Sequence, residues 1–236
     1  MKQNFDLDEI KQKLFEKLEP SGWGRVFKHF IFSSDFDSIM NQLWNLSNAD
    51  KRFTPPLKLM FRAFEECPID KLKIVIVGQD PYPKLGVADG IAFSCGNTLE
   101  LQPSLTHLFD EINRTVYNGH PECTNPDLSR WSNQGILLLN TALTTRIGKI
   151  GEHYQIWKPF LAYVFDYLNT THNGLVYVYM GVQAKSWAEY VNDDNYKFYL
   201  KHPASAAYNN SVWDSADVFN TISKIVKDNS NTLIKW

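Results

Sequence analysis

Ile74-Val75-Ile76-Val77 is an unbroken run of β-branched residues that gives way at once to Gly78-Gln79-Asp80-Pro81-Tyr82-Pro83. A short continuous apolar run bounded by turn residues reads as a strand buried on both faces, as in a parallel sheet covered by helices. The polar residues after it then stand at the strand's carboxyl end, where open α/β sheets place their ligand sites. The chain must supply further strands to flank this one and helices to cover it.

It does so in alternation. Gly135-Ile136-Leu137-Leu138-Leu139 is a second buried run stopping at Asn140, Leu175 to Met180 a third ending at Gly181, and Tyr196 to Leu200 a fourth running into His202. Between them lie helical patterns: Ser104, as N-cap, to Tyr117; Asp127 to Asn133; Ile156 to Leu168; Gln183 to Tyr190. Val212 to Val226 closes the chain with Val212, Ala216, Phe219, Ile222 and Ile225 at helical spacing. Upstream, Leu7 to Leu18, a short segment from Trp23 to Phe30, and Ser34 to Leu46 are amphipathic. Thr54-Pro55-Pro56 opens one more helix, with Leu57, Met60, Phe61 and Phe64 facing inward. Strands separated by helices imply right-handed βαβ units. The expected fold is a single α/β domain over residues 1–236, a central four-stranded parallel sheet flanked by helices, with a helical N-terminal segment over about 1–66.

Composition excludes several classes. At 44% hydrophobic the chain has a core's worth of apolar residues and is not disordered. A net charge of −2 argues against a polybasic binder but leaves room for a local basic rim, for which Lys84, Arg146, Lys149, Lys185 and Lys201 are candidates. Cys67, Cys95 and Cys123 are odd in number and form no CxxC pair, which argues against a disulfide framework, a zinc site or a Cys-ligated cluster. The expectation is no metal and no cofactor, a reducing compartment, no membrane span, and a soluble, cytoplasmic monomer. A nuclear or virus-associated location would follow from a eukaryotic or viral source.

The strand ends gather Gln79, Asp80, Asn140, Gly181 and His202 at one rim of a parallel sheet. Asp80 can activate water, accept a proton or stabilise positive charge, or simply cap the turn that Pro81 and Pro83 enforce. Asn140 offers a donor and an acceptor side by side, suited to a base edge, or closes a turn. His202 can act as an acid or a neutral electrophile, or hydrogen-bond its own loop. His29, His107, His120 and His172 have no motif around them.

In this order the motifs resemble the family 1 uracil-DNA glycosylases. Gly78-Gln79-Asp80-Pro81-Tyr82 is similar to that family's water-activating motif, and Thr54-Pro-Pro to Phe64 to the preceding helix. Gly90-Ile-Ala-Phe93-Ser resembles the segment supplying a base-stacking Phe, Pro103-Ser104-Leu the proline–serine phosphate loop, and Gly135 to Asn140-Thr the uracil-recognition strand. His202-Pro203-Ala204-Ser205 resembles the start of the DNA-intercalation loop, and His153 a DNA-contacting His, although on residues alone it reads as a solvated loop His.

The resemblance implies an enzyme that flips uracil from single- or double-stranded DNA and hydrolyses its N-glycosidic bond, starting base excision repair. Asp80 would stabilise the cationic sugar and position water, and His202 would stabilise the leaving uracil anion. Phe93 would stack on the base, Asn140 would read its polar edge, Tyr82 would exclude thymine's methyl, and Gln79 would contribute through its backbone or an edge contact. Pro103, Ser104, His153, Gly181, Ala204, Ser205, Ala206 and Tyr208 would meet the DNA. The chain departs from the family where Pro83 replaces a usual His, where Val182 follows Gly181 in place of Ser, and where Ala206 replaces the intercalating Leu, leaving Tyr208 as the nearest bulky residue. Pro83 and His202-Pro-Ala also resemble the poxviral branch, whose members serve a polymerase processivity complex. The alternative reading is accordingly a DNA-binding replication scaffold with reduced catalysis. A protein inhibitor or replication partner is a further possibility that the resemblance raises.

Overall fold

The computed structural model describes residues 6–98, 100–209 and 211–236, the side chains of 207–209 excepted. The N-terminal part is helical: α1 (Leu7–Leu18), α2 (Trp23–Ile31) and α3 (Ser34–Asn48). Asp6 and Ser33 cap α1 and α3 by accepting from Glu9 N and Phe36 N, which satisfies amide groups that a helix start leaves open. Two-residue strand β1 (Phe53–Thr54) leads through a 3₁₀ turn (Leu57–Leu59) into α4 (Arg62–Glu65). The single helix expected after Pro56 is therefore broken, and Leu57 faces solvent, while Met60, Phe61 and Phe64 are buried as expected.

The sheet follows. Strand β2 (Ile74–Gly78) precedes α5 (Pro103–Thr115) and α6 (Ser129–Ser132), and β3 (Ile136–Asn140) precedes the short β4 (Thr145–Arg146), which pairs antiparallel with β1. Then come α7 (Tyr154–Thr171), β5 (Val176–Met180), α8 (Val182–Lys185), β6 (Tyr196–Leu200), α9 (Ala204–Asn209) and α10 (Val218–Ser230). The main sheet is four-stranded and parallel in the order β3-β2-β5-β6. The chain adds β3 on one side of β2 and then crosses to β5 on the other. This puts a topological switch point at β2 and β5, beside the Gln79-Asp80 turn.

β2, β3 and β5 are buried along almost their whole length, as their unbroken apolar runs require. β6 differs from expectation: it is an edge strand, with Tyr196 and Tyr199 exposed. Trp23, Phe27, Phe64 and Phe160 interlock edge to face or tilted, with centroids 5.0–5.6 Å apart, and lock the N-terminal helices onto α7. Two further helix starts move. Gln102, not Ser104, occupies the N-cap of α5, with Pro103 in its first turn. Residues 212–217 are not helical: Ala216 and Asp217 have positive φ, Val212 is exposed, and Ser215 donates its N–H and Oγ–H to the buried carboxylate of Glu111 at 2.9 and 2.6 Å. Satisfying that carboxylate overrides the helical spacing of Val212 and Ala216.

Candidate active site

The carboxyl ends of β2 and β3 stand side by side, Gly78 opposite Asn140. A Cβ on Gly78 would lie 2.5 Å from Asn140 Oδ1 and 3.1 Å from the Phe93 ring, so the glycine lets the amide and the ring approach one another. A cleft of about 340 Å³ opens here, lined by Gln79, Asp80, Tyr82, Phe93, Asn140 and His202 together with Pro83, Ser104, Leu143, Ile150, Ala204 and Ser205. Its size suits a nucleobase. Among the described residues, the Asn140 side chain makes no hydrogen bond within the protein and faces this cleft with its donor and acceptor free.

Phe93 closes one wall. Its φ of +65° is a left-handed conformation that costs a side-chain-bearing residue about 1–2 kcal/mol. The surroundings impose it: Ala92 N donates to Leu138 O at 3.1 Å, and Tyr82 Oη donates to Phe93 O at 2.9 Å. Behind the loop, buried Asp89 pairs with Arg62 at 2.9 Å and accepts from Ser94 Oγ at 2.6 Å and Gly96 N at 3.0 Å. The aromatic wall thus stands on a charged, fully satisfied base.

His202 lies across from it, ring centroids 5.6 Å apart. Ala204 N–H donates to His202 Nδ1 at 3.2 Å, which makes Nδ1 the acceptor and leaves the proton on Nε2. Burial pushes its pKa down from 6.5 to about 4, so the ring is neutral at physiological pH. Gly181, with φ +97°, would place a Cβ 3.1 Å from His202 Cβ and is held to glycine on both counts.

Asp80 accepts from Gly151 N at 2.7 Å through Oδ2. Burial raises its pKa above the ordinary carboxylate value, and the Gly151 N–H pulls back against that rise. Gln79 is engaged through its carbonyl, which accepts from Thr141 N at 3.1 Å and Thr141 Oγ1 at 2.6 Å. Pro83 O accepts from Gly148 N at 2.9 Å. The residues that sequence reasoning missed are Thr141, just after β3, and two members of the 145–151 turn, the Gly151 donor and Ile150.

The expected DNA-facing residues divide. Ser104, Ala204 and Ser205 line the cleft, and Pro103 is exposed beside it. His153 is no solvated loop residue: it is 2% exposed, and its Nδ1 lies 2.9 Å from Thr144 Oγ1, which in turn accepts from Trp157 Nε1 at 2.7 Å. Burial lowers its pKa. Ala206 is 3% exposed and does not project toward a ligand. The side chain of Tyr208 lies outside the described residues. Among the described residues, no group of three or more His, Cys, Asp or Glu side chains is arranged to hold a metal ion. Cys67, Cys95 and Cys123 are free and buried.

The profile of the Uracil DNA glycosylase superfamily matches residues 64–227, which span every cleft residue except Ala63. This chain belongs to that superfamily. It is 31% identical over 233 residues to the uracil-DNA glycosylase of Acinetobacter baumannii (strain SDF), covering 98% of each chain. It is 32% identical over 208 residues to uracil-DNA glycosylase 2 of Bacteroides fragilis, covering 87% of this chain and 93% of the relative. Among solved structures, mimivirus uracil-DNA glycosylase shares the fold, with TM-score 0.81 and 24% identity over 94% of this chain and 88% of that one. A mimivirus UNG variant solved in complex with UGI superposes with TM-score 0.81 at 25% identity, covering 91% and 87%.

Proposed function

We propose that this chain hydrolyses the N-glycosidic bond of uracil in DNA and leaves an abasic site. The observation that carries the reading is one cleft holding a free amide, an aromatic wall, a neutral imidazole and a half-buried carboxylate. Identity of 31% and 32% over 98% and 87% of this chain to proteins named for this activity supports it.

Each group has a chemical task in that reaction. The base slides between the cleft walls with its face against Phe93. Asn140 pairs its amide with uracil's N3–H and a carbonyl; cytosine would present the wrong donors. Tyr82 fills the space beside C5, where thymine's methyl would sit. As the glycosidic bond breaks, positive charge grows on the sugar and negative charge on the uracil oxygen. Ionised Asp80 stabilises the first and orients the attacking water. His202 Nε2–H donates to the second. A neutral donor suits a developing anion, because it pays no desolvation of a charged ring before the reaction.

Ser104 and Ser205, which line the cleft, are the residues we assign to phosphate contacts, since the N–H groups of Gly181 and Ala204 already donate to Leu200 O and His202 Nδ1. His153, buried and bonded to Thr144, fits a role in holding the 144–154 segment, and the direct DNA contact inferred from resemblance would require it to leave that bond. We take residues 1–236 as one domain acting as a monomer in the compartment that holds the DNA, with a protein inhibitor or replication partner as an additional ligand of the same face. The test is to incubate the protein with uracil-containing single- and double-stranded oligonucleotides in EDTA and look for abasic sites. A protein that binds these strands and generates none would be the scaffold of the alternative reading.

A further inference from the structure

A protein that extrudes a nucleotide must fill or brace the gap that the base leaves, and such wedges are apolar side chains such as Phe, Leu, Ile or Met. Ala206, at the position where the resemblance expects the wedge, is small and 3% exposed. A different side chain has the required properties. Ile150 is 60% exposed and lines the cleft along with Asp80, Pro83 and Leu143. Leu85 and Val182 are exposed as well, but neither lines the cleft.

An isolated exposed Ile is unremarkable in itself. The turn that presents this one is built. Gly148 N donates to Pro83 O at 2.9 Å, Lys149 N to Arg146 O at 3.0 Å, Thr145 Oγ1 to Lys149 O at 2.9 Å, and Gly151 N to Asp80 Oδ2 at 2.7 Å. Gly148 and Gly151 both take positive φ, +76° and +79°, to shape it. The fixed points of the turn are backbone groups and the buried or half-buried side chains of Thr145 and Asp80, and its most exposed apolar side chain, Ile150, is β-branched and stiff at χ1. Such a side chain loses little freedom on entering DNA.

We propose that Ile150 is the apolar contact that braces duplex DNA at the position vacated by the flipped nucleotide. The proposal rests on the glycosylase reading of the cleft and adds to it a residue outside the HPAS segment. Because Gly151 joins the same turn to Asp80, pressure of DNA on Ile150 bears on the carboxylate's hold as well. Ile150 is then a positioning residue for duplex substrates, where a stack must be opened. In single strands there is no opposing stack to brace.

The test compares kcat/KM for uracil release from single- and double-stranded oligonucleotides in wild type, Ile150→Ala, Ile150→Val and Leu85→Ala. Ile150→Ala is expected to lower the double-strand to single-strand ratio about tenfold, Ile150→Val to keep it within about twofold, and Leu85→Ala to leave it unchanged. In parallel, a duplex with 2-aminopurine beside a non-hydrolysable 2′-fluorinated deoxyuridine reports flipping by its fluorescence rise, which Ile150→Ala should reduce in step with the duplex rate. A wild-type ratio in Ile150→Ala, or an equal loss in Leu85→Ala, overturns the assignment while the hydrolase reading stands. A wild type that releases no uracil yet gives an Ile150-dependent fluorescence rise defeats the hydrolase reading and supports the wedge. No release and no rise defeats both.

Discussion

Gly151 donates its backbone N–H to Asp80 Oδ2 at 2.7 Å, joining residues 71 apart in sequence. The carboxylate is thereby held by a turn on a different loop, and its orientation depends on a residue without a side chain. A Cβ at Gly151 would meet Tyr154 Cε2 at 2.9 Å, and its φ of +79° strains any other residue. Gly151→Ala should cost about 1–2 kcal/mol in urea unfolding. It should lower kcat by about tenfold or more through the displaced Asp80. Unfolding curves and steady-state rates on one preparation check this; a normal kcat would show that the turn does not position the carboxylate.

The pKa of His202 near 4, against an ordinary value of 6.5, has a defined sign for stability. Between those values the unfolded chain takes up a proton that the folded chain refuses. The contribution is therefore fully present above pH 6.5 and is lost as pH falls toward 4, on the order of 3 kcal/mol in all. Urea midpoints from pH 7 down to 4.5 should fall less steeply in His202→Leu than in wild type; parallel slopes would mean the ring is not buried neutral.

Asp80 is raised, so activity should fall in acid with an acid limb above the ordinary carboxylate range. His202→Gln keeps a neutral donor but removes the titrating ring, so a limb that belongs to Asp80 should stay in place while the rate falls. A limb that shifts with His202→Gln would assign the titration to the imidazole.

Tyr82 is fixed by its bond to Phe93 O, so its ring cannot swing aside for a methyl group. Tyr82→Ala should begin to release thymine from DNA, and Tyr82→Phe, which keeps the ring but loses the hydroxyl that anchors it, should release far less than the alanine variant. Assay by chromatography of the freed base decides; an alanine variant equally blind to thymine would place the gate elsewhere.

Ala206 packs inside, so Ala206→Leu should not create a stronger DNA binder. Inserting three carbons into a filled space should instead cost about 1–3 kcal/mol of stability. Thermal unfolding and duplex affinity measured together would show it, and a stable variant with tighter duplex binding would mean the segment turns outward on DNA.

The main elements were legible because their signals are local. The apolar runs at 74–77, 135–139 and 175–180 are short, continuous and bounded by turn residues, the signal of strands buried on both faces, and the polar ends of the first two mark the cleft. What stayed hidden depends on partners distant in sequence. Strands β1 and β4 are two residues each and exist through their mutual pairing. The helical spacing of Val212 and Ala216 is real, yet Glu111 draws Ser215 into a turn. His153 looks solvated among Gly151 and Glu152, and only its bond to Thr144 reveals a buried ring. The Gly151 donor has no signature, since a backbone N–H is present at nearly every residue.

The central claim is that this cleft removes uracil from DNA with Asp80 as its essential carboxylate. The most direct measurement is the rate of free uracil and abasic-site formation on a single-stranded uracil oligonucleotide in EDTA, for wild type and Asp80→Asn, with cytosine and thymine oligonucleotides as controls. The account predicts release from the uracil strand alone and a loss of about 10²–10⁴-fold in Asp80→Asn, with an unfolding curve showing the variant folded. No release by wild type at enzyme excess, or a near-normal rate in folded Asp80→Asn, would contradict it.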